Sequence, residues 1–375
     1  MLDLTVTNPT VVGIEYPRGL LDHLASPAAL TYEPSPFGLE MAREAIGREY
    51  ARRGIAVAKE HILLTASTSE AYSLLFKLLC EPRGDSVLVP VPSYPLFEYL
   101  TRLDGVRPLP YRLEYQGRWL LDEESVDAAW LESVRAVLAV SPNNPTGSLL
   151  NDVELEAVCR RCAARDAALI VDEVFADYPL DAAEAPEPQA PTGQGATVRR
   201  DARGISAPGA LVFRLGGLSK SAGLPHLKLG WIALEGPDPL REAALERLEV
   251  ITDAYLSVST PVQVATPELL AAGTSIRAAI LERVRANHQQ LKALAAGYPA
   301  IEVLHADAGW SAVLRVPATL PEEDLVLELL HRDKVVVHPG FFFDFPHEAF
   351  LIVSLLPEPD CFREAICRMM DRIHG

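Results

Sequence analysis

The feature that most constrains this chain is an alternation: short runs of β-branched and aliphatic residues, each followed by a stretch with helical periodicity. The runs are ILLT (Ile62–Thr65), SVLVPV (Ser86–Val91), RAVLAV (Arg135–Val140), ALIVD (Ala168–Asp172) and LVFRL (Leu211–Leu215). Between them, LEMAREAIGREYARR, SEAYSLLFKLL and NDVELEAVCRRCAARD repeat apolar residues at the 3.6 period with a charged outer face. Strands separated by helices predict an α/β domain built on a mostly parallel sheet covered by helices. Beyond about Pro261 the pattern changes to long helices, with apolar spacings of three and four from Pro267 to Leu294. Strands then follow at Trp310–Val316, Val335–His338 and Phe350–Leu355.

The 375 residues exceed what one core usually organises, so two domains are expected. Pro9, Pro17, Pro27, Pro34 and Pro36 keep the first forty residues from forming a long helix, and they read as an extended arm packed on another part. The expected division is an arm over 1–40 joining the small domain, a large domain over 41–265 and a smaller α+β domain over 266–375. The Pro-, Gly- and Ala-rich segment from Asp181 to Gly209 reads as a surface loop.

Composition excludes several functions. With 34 basic and 51 acidic residues the net charge is −17, and no Lys/Arg cluster is present to neutralise phosphates or an anionic bilayer. Neither nucleic acid nor membrane is an expected partner, and no run of about 18 uncharged apolar residues occurs, so a cytoplasmic protein is expected. Five cysteines make no disulfide framework. Cys159 and Cys162 form a CxxC inside a helical pattern with no second Cys/His pair nearby, and read as helix-packing thiols; no metal is assigned.

The residues that carry chemistry fall where strands end. In LVFRLGGLSKSAGLPHLKLGW (Leu211–Trp231), a strand runs into a Gly-rich turn bearing Lys220 between Ser219 and Ser221. Upstream, ALIVD ends on Asp172, a carboxylate at the C-terminal end of a buried strand, where α/β sheets bind ligands. SPNNPTG (Ser141–Gly147) sets two amide side chains after another strand. TASTSEA (Thr65–Ala71) opens a helix with Ser67, Thr68 and Ser69: a phosphate cup, or an ordinary N-cap with a capping-box-like Glu70. PVPSYPLF (Pro90–Phe97) holds Tyr94 between prolines. An amine, a carboxylate, an amide, an aromatic face and a phosphate cup together describe one ligand.

With these motifs in this order from about Tyr32 onward, the chain resembles the fold type I enzymes that use pyridoxal 5′-phosphate, specifically the class I/II aminotransferases. The resemblance implies a seven-stranded, mostly parallel sheet in the large domain, and transfer of an amino group between an amino compound and a 2-oxo acid. It matches Lys220 to the Schiff-base lysine, Asp172 to the partner of the pyridine nitrogen, Asn144 to the ring-hydroxyl donor and Tyr94 to the stacking aromatic. Ser67, Thr68 and Ser69 match the phosphate cup. Tyr32 matches a tyrosine that reaches the neighbouring subunit's phosphate, which implies a homodimer with shared sites, and LSVSTPVQ (Leu256–Gln263) resembles an interface segment.

Departures from the family pattern are informative. Lys228 stands for the usual phosphate arginine, without its bidentate fork. Phe175 stands for a tyrosine that donates to the ring hydroxyl, and Gly217 for a phosphate serine, leaving Ser219 or Ser221 to substitute. On the strand FLIVS, Ile352 occupies the place expected for the arginine that holds the substrate α-carboxylate; Arg315 is a candidate replacement, although strand arginines are more often solvated. No arginine lies between Arg247 and Arg277 to bind a second carboxylate. Phe341, Phe342, Phe343 and Phe345 are candidates to line an apolar pocket. An apolar or aromatic amino acid is therefore the expected donor. The alternative is a lyase, or a decarboxylating or amine transaminase, acting on a substrate without a conventionally bound α-carboxylate.

Overall fold

In chain order the strands are β1 (Leu2–Asp3), β2 (Ile62–Thr65), β3 (Ser86–Val91), β4 (Arg107–Tyr115), β5 (Trp119–Leu121), β6 (Val134–Val140), β7 (Ala168–Asp172), β8 (Val212–Gly217), β9 (Gly230–Glu235), β10 (Glu302–Val303), β11 (Ser311–Arg315), β12 (Val335–Val336), β13 (His338–Pro339) and β14 (Phe350–Ser354). The α-helices are α1 (Glu40–Arg52), α2 (Thr68–Leu79), α3 (Phe97–Leu103), α4 (Glu123–Ala129), α5 (Asp152–Ala164), α6 (Leu218–Ser221), α7 (Asp238–Asp253), α8 (Thr260–Ala295), α9 (Glu322–Glu328) and α10 (Pro359–His374). These come from a computed structural model that describes residues 1–181 and 209–375. The surface loop expected between Asp181 and Gly209 falls, apart from its two end residues, outside the described residues.

The apolar runs of the first two thirds assemble into one sheet of order β2-β9-β8-β7-β6-β3-β4-β5. Strands β8, β7, β6, β3 and β4 are parallel neighbours, β9 is antiparallel to both β8 and β2, and β5 folds back antiparallel on β4. Among the described residues the sheet therefore has eight strands, where seven were expected. The extra one is the short β5, which covers only Leu113–Tyr115 of β4.

All five residues of β7 are buried because helices cover both sheet faces. Ile170 packs with Leu63, Phe76 and Leu215 on one face, while Leu169 and Val171 pack with Val137, Cys159 and Cys162 on the other. The two cysteines are thus core residues: burial pushes the Cys159 thiol up to about 11 and the Cys162 thiol further. Among the described residues no group of His, Cys, Asp and Glu is placed to hold a metal, and no helix is long and apolar enough to cross a membrane.

A second sheet, antiparallel and of order β10-β11-β14-β13, packs against the 36-residue helix α8 and against α10. Helix α8 starts at Thr260, ahead of the expected Pro267, which lies inside it. Pro261 sits in its first turn, where the fixed φ of proline favours helix and its missing N–H costs nothing. The N-terminal residues are not simply extended: short 3-10 turns occur at Pro9–Val11, Leu20–Ala25 and Pro27–Leu30. Strand β1 pairs in parallel with β12, Leu2 opposite Val335, and the Ser354 amide donates to the Leu4 carbonyl at 2.6 Å.

Candidate active site

Strand β7 delivers Asp172, buried, to the C-terminal edge of the large sheet. Its Oδ2 accepts the Tyr72 hydroxyl at 3.1 Å and its Oδ1 accepts the Val174 amide at 3.2 Å. Burial raises the carboxyl pKa to about 6, opposed by those two donors and by the charge of Lys220. The next residue, Glu173, points elsewhere. It binds Arg53 at 2.8 Å and the buried Arg214, whose Nε reaches Glu235 at 2.5 Å. Burial alone would raise the Glu173 pKa, but Arg214 and Arg53 outweigh it and lower it. Two adjacent carboxylates are thereby separated: one belongs to an ion network, the other faces the sheet edge.

Lys220 lies on the four-residue helix α6, directly after β8. Its turn is fastened from three sides. The Ser221 hydroxyl donates to the Gly217 carbonyl at 2.8 Å, Arg277 donates to the Ser221 carbonyl at 3.1 Å, and the Tyr178 hydroxyl donates to the Lys220 carbonyl. The amine Nζ sits 4.8 Å from the Trp310 ring centroid and 5.6 Å from that of Phe175, two rings that meet edge to face. Burial depresses the amine pKa to about 8, with Asp172 pulling the other way. A largely neutral lysine above that pH is a competent nucleophile.

Beside these, β2 leads into α2. Ser67 is the N-cap, its Oγ accepting the Glu70 amide at 3.2 Å, while the Glu70 carboxylate takes the Ala66 amide at 2.5 Å. Glu70 thus departs from a capping box, which would return to the Ser67 amide. The Thr68 and Ser69 side chains make no hydrogen bond to a described residue and stand at the positive end of the 12-residue helix. Gly230 of β9 lies against this turn: a Cβ there would come within 2.9 Å of the Ser67 carbonyl carbon and of Thr65 Oγ1, and 3.1 Å from the Thr68 amide nitrogen.

Strands β3 and β6 supply the remaining groups. Asn143 ties their ends together: Oδ1 accepts from Ser93 at 2.9 Å, and Nδ2 donates to the Pro92 carbonyl at 3.0 Å and to Thr146 at 2.9 Å. Asn144 is left half-buried. Its Oδ1 accepts from Ser311 at 3.4 Å, and its amide protons have no partner among the described residues. The half-exposed Tyr94 has its ring 6.5 Å from that of Phe343. Ser219 is half-buried with no side-chain hydrogen bond to a described residue, whereas Ser221 is already engaged. Lys228 is exposed in a left-handed backbone conformation, φ 52° and ψ 56°. Tyr32 is 68% exposed and lines a cleft with Leu256, Ser257, Val258 and Gln263, the segments whose resemblance had pointed to a subunit interface.

Ile352 is buried with Trp119, Leu304, Val313, Phe343 and Phe345. Arg315 is turned to solvent and paired across the strands with Glu302, so the solvated reading of that residue holds. The four phenylalanines divide: Phe343 and Phe345 join the apolar cluster, and Phe341 and Phe342 are half-exposed. Four side chains not singled out from the sequence touch the candidate residues: Tyr72 on Asp172, Trp310 and Tyr178 on Lys220, and Ser311 on Asn144. A tyrosine on an otherwise apolar helix face needs a buried partner for its hydroxyl, and this signal could have marked Tyr72.

The model of the family described as aminotransferase class I and II matches residues 18–366. Glutamate-pyruvate aminotransferase AlaA of Haemophilus influenzae is 26% identical over 378 aligned positions, covering 98% of this chain and 89% of the relative. Among solved structures, an aminotransferase from Escherichia coli superposes with a TM-score of 0.84 at 23% identity, covering 100% of this chain and 91% of that one. An alanine aminotransferase from Pyrococcus furiosus gives 0.83 at 22%, covering 99% and 91%. The structural neighbours share the α/β fold, with its large, mostly parallel sheet and separate small antiparallel sheet. With a family match running almost end to end on that fold, the chain belongs to the aminotransferase class I and II family, whose members transfer amino groups with pyridoxal 5′-phosphate.

Proposed function

We propose that this pyridoxal 5′-phosphate-dependent aminotransferase anchors its cofactor on Lys220, takes an apolar or aromatic amino acid as amino donor and returns the amino group to a 2-oxo acid. The observation that carries the reading is the placement, at the ends of two neighbouring strands, of a half-buried amine depressed to about 8 and a buried carboxylate whose charge acts on it. The donor set fits the cofactor. The amides of α2 with Thr68 and Ser69, aided by Ser67 and Ser219, offer a phosphate cradle that Gly230 keeps open. Lys228 adds charge without a fork.

When bound, the cofactor supplies an electron sink for the pair left when a bond at the substrate Cα breaks. Asp172, ionised, holds a proton on the ring nitrogen. Asn144 directs its free amide protons to the ring hydroxyl, unassisted by Phe175, which has none to give. Tyr94 would offer its ring as the stacking face. Lys220, once neutral, would serve as the base that takes the proton from the substrate Cα and would hold it for return.

On the substrate side, Trp119, Phe343, Phe345 and Ile352 form an apolar wall. The Haemophilus relative is named for glutamate and pyruvate. Here Arg277 of α8 is committed to Glu49 and the Ser221 carbonyl, which disfavours an acidic donor. The same wall favours a second reading, a substrate held without an arginine on its α-carboxylate, such as a simple amine or the substrate of a lyase.

Tyr32 and the Leu256–Gln263 segment sharing one exposed cleft support a homodimer with shared sites. The pairing of β1 with β12 supports an arm over 1–40 joined to a small domain over 266–375, beside a large domain over 41–265. Five free cysteines fit a reducing compartment, the cytoplasm.

The test is the Lys220→Ala variant purified with pyridoxal 5′-phosphate. It should lose the visible band and the borohydride labelling that the parent protein shows, and labelling that persists sinks the assignment. A panel of amino acids then separates the two readings: an apolar donor consumed with its 2-oxo acid and no ammonia formed supports transfer, and pyruvate with ammonia supports a lyase.

A further inference from the structure

The Asp172 carboxylate receives only two hydrogen bonds from the described residues: one from a backbone amide, that of Val174, and one from a side chain, Tyr72. We propose that Tyr72 is a positioning residue that fixes Asp172 in its ionised form and so sets the strength of its hold on the cofactor's ring nitrogen. The inference rests on the assignment of Asp172 above.

Tyr72 is fully buried in the middle of the helix whose first turn forms the phosphate cradle. Its ring is wedged edge-on against Phe97 at 5.3 Å and lies 6.2 Å from Phe76, so the hydroxyl cannot swing away. Burial, followed by the charge of Asp172, pushes the phenol pKa well up, which keeps the group a donor throughout the working pH range. A donor on each carboxylate oxygen favours the charged form and leaves each oxygen a lone pair for a further partner. Tyr72 is four residues, or about 6 Å of helix rise, beyond Thr68. One helix thereby touches both the groups proposed for the phosphate and, through Asp172, the group proposed for the ring nitrogen.

Tyr72→Phe removes the donor and keeps the ring packing. Binding is read by equilibrium dialysis with two ligands, pyridoxal 5′-phosphate and its analogue with CH in place of the ring nitrogen. Loss of a hydrogen bond to a charged group should weaken pyridoxal 5′-phosphate binding roughly tenfold or more. Affinity for the nitrogen-free analogue should change less than about twofold, because Asp172 has no ring proton to hold there. Equal weakening for both ligands, including complete loss through misfolding, overturns the proposal in favour of a packing role, and no weakening for either also overturns it. Asp172→Asn gives the same comparison from the carboxylate's end: in that background, adding Tyr72→Phe should leave pyridoxal 5′-phosphate affinity unchanged, and a further tenfold loss refutes the coupling. If parent protein binds neither ligand, the assignment of the cofactor site fails, an outcome distinct from all of these.

Discussion

Gly230→Ala is a single-methyl perturbation whose effect can be worked from contacts. The new Cβ would lie 2.9 Å from the Ser67 carbonyl carbon, 2.9 Å from Thr65 Oγ1 and 3.1 Å from the Thr68 nitrogen. Two of the three atoms are backbone, and Thr65 is pinned by its bond to the Ser67 carbonyl at 2.9 Å, so no flexible side chain can yield. Restoring ordinary separations moves the start of α2 away from β9 by about half an ångström, at an overpacking cost of about 1–3 kcal/mol. That displacement carries the Thr68 and Ser69 amides with it. Misplacing one charge-assisted hydrogen bond to phosphate costs about 1.5–3 kcal/mol, or roughly 10–150-fold in affinity. The assay is binding of pyridoxal 5′-phosphate and of pyridoxal, which lacks the phosphate, together with a urea midpoint for the cofactor-free protein. The phosphate ester should lose affinity and pyridoxal should not. An equal loss for both ligands, or an unchanged urea midpoint with unchanged binding, refutes the picture of Gly230 as the wall of the cradle.

Three further outcomes are expected. Arg214→Met leaves Glu235 and part of the Glu173 charge buried without compensation, and should cost about 3–5 kcal/mol by urea denaturation, whereas a change under about 1 kcal/mol contradicts it. In cofactor-free protein, Lys220 should react with a small amine reagent with a rate midpoint near pH 8, and a midpoint near the ordinary lysine value contradicts the burial argument. Because the unfolded lysine binds a proton between about 8 and its ordinary value while the folded one does not, stability should also rise with pH across that window, and Lys220→Met should abolish the rise. Ile352→Arg places a cation among Trp119, Val313, Phe343 and Phe345 without a counter-charge. It should lower the melting temperature rather than improve KM for amino acids, and a lower KM at unchanged melting temperature would show that the wall can host a carboxylate.

How much was legible beforehand depended on how locally each feature is encoded. The bounds of β2, β3 and β7 follow from uninterrupted apolar runs closed by turn residues, and these strands form over the residues expected. Strand β4 escaped notice because Pro108 and Pro110 interrupt RPLPYRLEY and its exposure alternates irregularly, as suits a strand paired with β3 over Arg107–Arg112 and with β5 only over Leu113–Tyr115. In the candidate site, Lys220, Asp172, Asn144 and the α2 turn sit at strand ends that their own motifs mark. Tyr72 and Trp310 have no such motif. Tyr72 meets a residue 100 positions away, and Trp310 reaches Lys220 from outside the large sheet, so only the fold creates their roles. For Arg315 the local pattern was ambiguous, and the cross-strand partner Glu302 decided it.

The pairing of β1 with β12 bears on the order in which the chain can be assembled. Leu2 lies opposite Val335, Leu4 donates its amide to Val336, and the Val6 carbonyl accepts from Ser354. The backbone groups of Leu2, Leu4 and Val6 therefore wait for β12 and β14, far later in the chain, before they are satisfied. Closing so long a loop is affordable at equilibrium, since the entropic cost grows only logarithmically with length, but it delays completion in time. The large sheet, whose strands all precede Pro237, is free to form first. Strand β1 acts as a latch drawn shut only once β12 and β14 are in place, and shortening it would slow or loosen that step of folding while leaving the residues around Lys220 in place.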